Sequence, residues 1–420
     1  MLLGYIADDL TGATDLAIML TRAGMRTLQV MQVPEAPGSL EGFDAVVIAL
    51  KTRTCPVEEA VRLSLASADA LLSHGARQIF FKYCSTFDST DQGNIGPVAD
   101  ALLDRLEDPL ALVCPAFPTN KRTIYMGNLY VGEVPLAESA MRDHPLTPMR
   151  DSNLVRLLQR QTRSKVGLLA FPIVNRGSDA IGAALATAQQ LGQRFIVVDA
   201  ITDDHLLAIG KAAAHHKLVT GGSGVALGLP ANFIAAGLMR LAEAPRTIAA
   251  PKGRAAVIAG SCSEATRAQV AAAKSAGIPA FEVDPLQIET GAHVGPRLAI
   301  WAKAQPANRP VLIYSSADPA SVARTQETLG RDRAGAIIER ALADAAEELV
   351  AGGFSRLIVA GGETAGAVVN RLSVTALEIG PEIDPGVPWT QAVGRDLVLA
   401  LKSGNFGAPD FFIKAWGKLT

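Results

Sequence analysis

Ile6-Ala-Asp-Asp-Leu-Thr-Gly-Ala-Thr-Asp15 is the stretch on which the fold turns. Apolar residues 2–5 lead into it and a helix-compatible run over 13–23 leads out. Strand, short polar loop and helix in that order read as the start of an α/β unit. Asp8 and Asp9 then stand at the carboxyl end of the first strand, where open parallel sheets keep their ligand sites. Two adjacent carboxylates there suit magnesium or a hydroxyl that must lose a proton. A plainer reading makes them turn residues, with Thr11 capping the helix.

The same rhythm extends outward from this stretch. Strands are predicted over 2–7, 27–33, 45–50, 78–83 and 111–114, with helices over 13–23, 57–74 and 97–106. Residues 125–131 read as a hairpin around Gly127-Asn128. Alternation resumes with a strand over 166–174, a helix over 179–191, a strand over 194–200 and a helix over 205–215. The pattern lapses over 241–254, where two prolines, a glycine and scattered charges mark a linker. A second series follows over 255–259, 264–276, 280–283, 310–314, 334–351 and 356–360. The chain has 420 residues, more than one hydrophobic core usually serves. The expected architecture is two α/β domains, 1–240 and 255–420, each with a mainly parallel sheet flanked by helices. The active site is expected in the interdomain cleft.

Composition narrows the function. Apolar residues make up 49% of the chain and charged residues 19%, and the net charge is −2. No basic field or Lys/Arg tract offers nucleic acid a surface, and three Trp and five Tyr leave little for base stacking. Cys55, Cys84, Cys114 and Cys262 are far apart, so neither a disulfide framework nor a zinc site is expected. Reduced thiols fit a cytoplasmic setting. There is no basic n-region and no apolar run of membrane-spanning length, so no membrane partner is expected. A homo-oligomer is left open.

Four predicted strands of the first half end in polar loops. Besides Asp8-Asp9 these are Lys51-Thr-Arg-Thr54, Lys82-Tyr-Cys-Ser-Thr-Phe-Asp-Ser-Thr-Asp91 and Pro118-Thr-Asn-Lys-Arg-Thr123. Parallel strands would gather them on one edge, with Lys51, Arg53, Lys82, Lys121 and Arg122 as anion ligands. Ser85, Thr86, Ser89, Thr90 and Asn120 would read hydroxyls. That set suits a small polyhydroxylated acid, with a cation for its carboxylate and hydrogen bonds for the rest. In the second half, Gly260-Ser-Cys-Ser263, Gly361-Gly-Glu-Thr-Ala-Gly366 and Lys402-Ser-Gly-Asn-Phe-Gly407 follow predicted strands. A strand, a glycine turn and a helix start aim free amides and the helix dipole at a phosphate.

Other signatures are missing. No GxxxxGK[ST] occurs, and after Gly222-Ser-Gly224 the dinucleotide fingerprint wants glycine where Leu227 stands. His215-His216 on a helix would diverge by about 100°, poor geometry for one metal. No GxSxG elbow supports a serine hydrolase. Cys84, Cys114 and Cys262 near strand ends read as buried thiols before nucleophiles.

Together these residues resemble the four-carbon acid-sugar kinases. The likeness runs through Asp8–Ala13 as Asp-Asp-x-Thr-Gly-Ala, with Leu10 where members often carry Phe, and through Gly361-Gly-Glu-Thr364 with Leu401–Gly407 behind it. It is strongest to members acting on 3-oxo acids, through Lys82–Thr90, Gly93–Pro97, His144–Met149, Val219–Gly224 and Pro385–Trp389. The resemblance implies an N-terminal domain for the sugar acid and a C-terminal domain for ATP, which Mg²⁺ accompanies. It implies transfer of the γ-phosphoryl group to the terminal hydroxyl of a four-carbon 3-oxo acid; threonate or erythronate is the alternative substrate, and a sugar-acid dehydrogenase the less favoured class. Ser261, Ser263, Gly361, Gly362, Glu363, Thr364 and Gly404 become the nucleotide contacts. Lys82 or Arg53 would neutralise charge, and Asp8, Asp9 or Asp88 would accept the hydroxyl proton or hold a metal-bound water. Lys51, Arg53, Ser85, Thr86, Asn120 and Arg122 would contact the acid.

Overall fold

The computed structural model describes residues 1–33, 40–144, 146–240, 247–288, 294–315, 324 and 327–420. The chain divides into two units, Met1–Glu243 and Ala244–Thr420. Residues 241–246 of the expected linker, and Pro145 of the His144–Met149 motif, lie outside the described residues.

In the first unit the strands are β1 (Leu3–Ala7), β2 (Thr27–Val30), β3 (Ala45–Ala49), β4 (Gln78–Lys82) and β5 (Ala111–Cys114). They continue with β6 (Arg122–Tyr125), β7 (Asn128–Val131), β8 (Val134–Pro135), β9 (Lys165–Leu169), β10 (Gln193–Val198) and β11 (Leu218–Gly221). Eight of these form a parallel sheet in the order β2-β3-β1-β4-β11-β5-β10-β9. β1, β3 and β4 are buried along their whole length, as continuous apolar runs in a sheet covered on both faces should be. From β1 the chain first fills one side with β2 and β3, then crosses to β4 on the other. β1 and β4 therefore flank the topological switch point, where an open sheet parts its loops and leaves a crevice. Ala7 pairs with Ala49 on one side and Lys82 on the other. The loops after β3, β1 and β4 consequently leave the sheet at the same level.

The second unit repeats the plan with β12 (Arg254–Ala259), β13 (Ala280–Glu282), β14 (Val311–Tyr314) and β15 (Phe354–Ala360), followed by β16 (Ala376–Asp384), β17 (Val387–Ala392) and β18 (Val398–Lys402). Their order is β13-β14-β12-β15-β18-β17-β16. β17 runs antiparallel to both neighbours and the other pairings are parallel. The switch point lies between β12 and β15, and Ala259, Ala360 and Lys402 stand level across three strands. Trp389 anchors the core beneath, fully buried, with its indole Nε1 donating to Ala415 O at 2.8 Å.

Several elements depart from the sequence reading. The first helix, α1 (Leu10–Arg22), starts three residues early because Asp9, and not Thr11, caps it; the Asp9 carboxylate accepts from Gly12 N at 3.2 Å. The run 166–174 splits into β9 and a helical turn Phe171–Val174, with Pro172 in the first turn where its missing N–H costs nothing. The hairpin turns at Met126-Gly127, both with positive φ, so Tyr125 opposes Asn128. β16 and β17 have no counterpart in the sequence pattern; Pro385-Gly386 turns them, with Gly386 at φ 82°. Among the described residues, no helix is long and apolar enough to cross a membrane.

Candidate active site

In the first unit three acids gather on one arginine. Arg53 Nε donates to Asp8 Oδ2 at 2.8 Å, and Nη2 donates to Asp8 Oδ1 at 2.9 Å and Asp9 Oδ1 at 2.7 Å. Its Nη1 lies 3.6 Å from Asp88 Oδ2. The backbone reinforces the pair, since Asp8 O accepts from the amides of Thr52 and Arg53. Asn94 holds the same loop by donating to Thr52 O at 2.7 Å and Cys55 O at 2.9 Å. Burial pushes the Asp8 carboxyl above its usual range, with Arg53 working against that shift. Burial also opposes the Arg53 charge, but Asp8 and Asp9 more than reverse this and hold the guanidinium above its ordinary value.

Asp88 is placed by strain. Phe87 and Asp88 both adopt positive φ, 67° and 45°, a conformation that non-glycine residues disfavour. Phe87 is fully buried with its ring edge-on to Tyr83 at 5.8 Å, which pins the kink. Thr86 Oγ1 then donates to Asp88 Oδ1 at 2.6 Å. Asp8, Thr52, Arg53, Asp88, Ser89 and Asn94 line a cavity of about 10 Å³ beside this cluster. Gln161 braces its rim, with Nε2 donating to Ser89 Oγ and Thr90 O and Oε1 accepting from Gly96 N.

Lys82 ends β4 and is 3% exposed, yet its ammonium makes no hydrogen bond or ion pair with a described residue. A Cβ built on Gly12 would stand 2.4 Å from Lys82 Nζ and 2.4 Å from Asp9 Oδ1. Glycine in the Asp-Asp-x-Thr-Gly-Ala segment therefore leaves room for the Lys82 ammonium and the Asp9 carboxylate beside the start of α1. Among the described residues the amides of Leu10 and Thr11 have no acceptor, so the helix adds its own positive end there.

The other predicted ligands are dispersed. Lys51 is exposed, Ser85 is half-buried and Thr86 is committed to Asp88. Arg122 donates to Asn120 O, and no interaction among the described residues joins either to the acid cluster. Both follow β5, which β11 separates from β4 in the sheet, and two strand spacings come to roughly 10 Å. Arg53, expected as an anion ligand, donates to Asp8 and Asp9 and lies 3.6 Å from Asp88, so its guanidinium already faces three internal carboxylates. Burial pushes the Cys84 and Cys114 thiols up to about 11 and about 12, which disfavours the thiolate a nucleophile needs. Gly221, Gly222 and Gly224 are packing residues, since a Cβ on each would strike Cys114 O, Pro115 O or Ala116 O at 2.2, 2.7 and 2.6 Å.

In the second unit the three glycine loops converge. A Cβ on Gly260 would stand 2.2 Å from Thr364 Oγ1, one on Gly361 would stand 3.2 Å from Ser261 N, and one on Gly404 would stand 2.4 Å from Ser261 Oγ. Gly361, at φ 125°, begins the helix Gly362–Arg371 with no side-chain cap. The amides of Gly362, Glu363 and Thr364 have no acceptor among the described residues, which leaves an anion site at the helix start. Ser263 caps the helix Glu264–Ser275 by accepting from Thr266 N, and its own hydroxyl donates to Gly404 O at 2.6 Å.

A family model for a sugar-binding N-terminal domain matches residues 3–229, and one for a nucleotide-binding C-terminal domain matches residues 256–412. The chain belongs to the four-carbon acid-sugar kinase family. This family member is 52% identical to the 3-oxo-tetronate kinase of Burkholderia multivorans, over 99% of the chain and 96% of that protein. It is 50% identical to that of Cupriavidus necator, over 100% and 97%. Among solved structures, a Salmonella typhimurium LT2 protein, described provisionally as a tRNA synthase, superposes with TM-score 0.92 at 42% identity over 100% and 99% of the two chains. A Haemophilus influenzae protein does so with TM-score 0.89 at 41% identity over 99% and 100%. Like those relatives, the kinase is an α/β protein with mainly parallel sheets flanked by helices.

Two residues of this kinase escaped the sequence reading of the second unit. Lys402 is 1% exposed, and Thr266 Oγ1 lies against it. The sequence reads Lys402 as the first residue of the loop behind the apolar run that ends at Leu401. Burial of its ammonium follows from β18 reaching one residue further.

Proposed function

We propose that the chain transfers the γ-phosphoryl group of Mg²⁺–ATP to the terminal hydroxyl of a four-carbon 3-oxo acid, giving the 4-phosphate. The observation that carries this reading is full-length likeness to proteins named 3-oxo-tetronate kinase, in a chain where each unit builds a polar site at its own sheet switch point. In the second unit Ser261, Ser263, Gly361, Gly362, Glu363, Thr364 and Gly404 line the nucleotide phosphates, because backbone amides and glycines suit close approach by oxyanions. Magnesium would arrive on the nucleotide, whose phosphate oxygens are the hard ligands it prefers.

In the first unit Asp9 is the proton acceptor we favour. Both Asp8 oxygens accept from Arg53, whereas Asp9 Oδ2 accepts from no described residue and the side chain keeps 29% of its exposure. Asp8 thus braces the loop after β3 while Asp9 faces the ligand. Lys82 shares Gly12 with Asp9, so it serves the reacting end of the acid and balances charge on the moving phosphoryl group. Four reduced cysteines accord with an intracellular enzyme.

The test is ADP release from Mg²⁺–ATP with a panel of four-carbon acids, the product being read by phosphorus NMR. A 4-phosphate formed fastest from the 3-oxo acid is expected; preference for threonate or erythronate would move the assignment within the family, and no ADP with any acid would remove it. Gly404→Ala should weaken nucleotide binding about tenfold or more with acid binding unchanged, because the new methyl meets Ser261 and Ser263. Calorimetric titration of each ligand separately checks this.

A further inference from the structure

We propose that Lys402 is a positioning residue for the nucleotide phosphates: it ties the three glycine loops into one surface and supplies that surface with a buried positive charge. This rests on reading the second unit as the nucleotide domain. The geometry is specific. Lys402 Nζ donates to Thr266 Oγ1 at 3.0 Å, Ser403 O at 3.1 Å and Gly404 O at 3.1 Å, which uses all three ammonium hydrogens. Its main-chain carbonyl accepts from Gly361 N at 2.9 Å. One residue therefore holds the Gly404 loop, the first turn after Ser263 and the glycine that opens the next helix. With no donor left over, the ammonium acts on a phosphate through these loops and through its field.

Its three side-chain acceptors are uncharged. On the elements packed around it the charged groups are Glu264, Arg267 and Lys274 on the helix Glu264–Ser275, Arg356 on β15, and Glu363 and Arg371 on the helix Gly362–Arg371; β17 carries none. Arg267, Lys274 and Arg356 donate to Cys262 O, Tyr314 and Gly253 O, and Arg371 pairs with Asp344 and Glu347. Among the described residues no carboxylate forms an ion pair with Lys402. A buried ammonium without a counterion is costly, and here burial pushes it down to about 8. A triphosphate arriving on the loops is the missing anion, and it would raise that value.

The sign follows. At pH 8 the free group is about half protonated, and nucleotide binding should take up about half a proton. Calorimetric titration with Mg²⁺–ADP at pH 8, in two buffers of different ionisation enthalpy, reads this uptake directly. Binding should weaken as pH rises from 7 to 9. In Lys402→Met the uptake should vanish, Mg²⁺–ADP affinity should fall at least about tenfold, and acid binding should persist. Wild-type affinity in Lys402→Met, or no buffer dependence in the wild type, overturns the proposal. The wild-type measurement decides alone if the variant does not fold. A wild type that binds the acid but no Mg²⁺–ADP overturns the nucleotide reading and this proposal with it.

Discussion

Asp9→Asn is expected to lower turnover by about 10² to 10⁴-fold, the range for loss of a positioned general base, in a protein that folds as before. The substitution isolates proton transfer because asparagine caps a helix about as well as aspartate. Its amide oxygen can keep the bond from Gly12 N, so α1 should start at the same residue. What disappears is the carboxylate oxygen that no described residue satisfies, together with one of the three charges around Arg53. Initial rates of ADP release and thermal unfolding, measured side by side, check both halves. Near-normal turnover would shift the role to Asp88, whose Oδ2 is 3.6 Å from Arg53.

Arg53→Leu should destabilise the first unit by about 3–5 kcal/mol at pH 7, the usual cost of removing one partner from a buried pair. Asp8 is 5% exposed, and Arg53 is its bidentate partner. Without the guanidinium Asp8 must either stay charged and unpaired or take up a proton. The pH dependence carries a definite sign. The folded Asp8 carboxyl already lies above its unfolded value, so it favours folding below the unfolded range and that contribution is lost as pH rises through the folded value. Losing Arg53 removes an influence that lowers it, so the folded value climbs further. The deficit in Arg53→Leu should therefore shrink as pH falls from 7 towards 5. Urea unfolding at several pH values measures it, and a deficit independent of pH would show that Asp8 does not sense Arg53.

Much of this was readable from the chain because the signals are local. Continuous apolar runs such as Ala45–Ala49 and Gln78–Lys82 mark buried parallel strands. Glycines after Ala360 and Ala259 mark sharp exits from the sheet. The misreadings arose where two local rules compete. Asp9 and Thr11 are both acceptable caps, and which one acts depends on where β1 lets go of the chain. Residues 376–392 carry charges and glycines on a pattern too broken for a strand reading, and they become β16 and β17 by pairing with each other and with β18.

Residue types and their order along the chain were enough to place Asp8, Asp9, Lys82 and the glycine loops at strand ends, since period and turn chemistry act over a few residues. Partnership lies beyond that reach. Arg53 was legible as a cation, but its capture by Asp8, 45 positions away, follows from β3 and β1 ending level in one sheet. The same holds for the ammonium of Lys82, which has no partner among the described residues, and for the buried one of Lys402. Burial and counter-charge are sums over neighbours that the folded sheet brings together, and no stretch of sequence contains all of them.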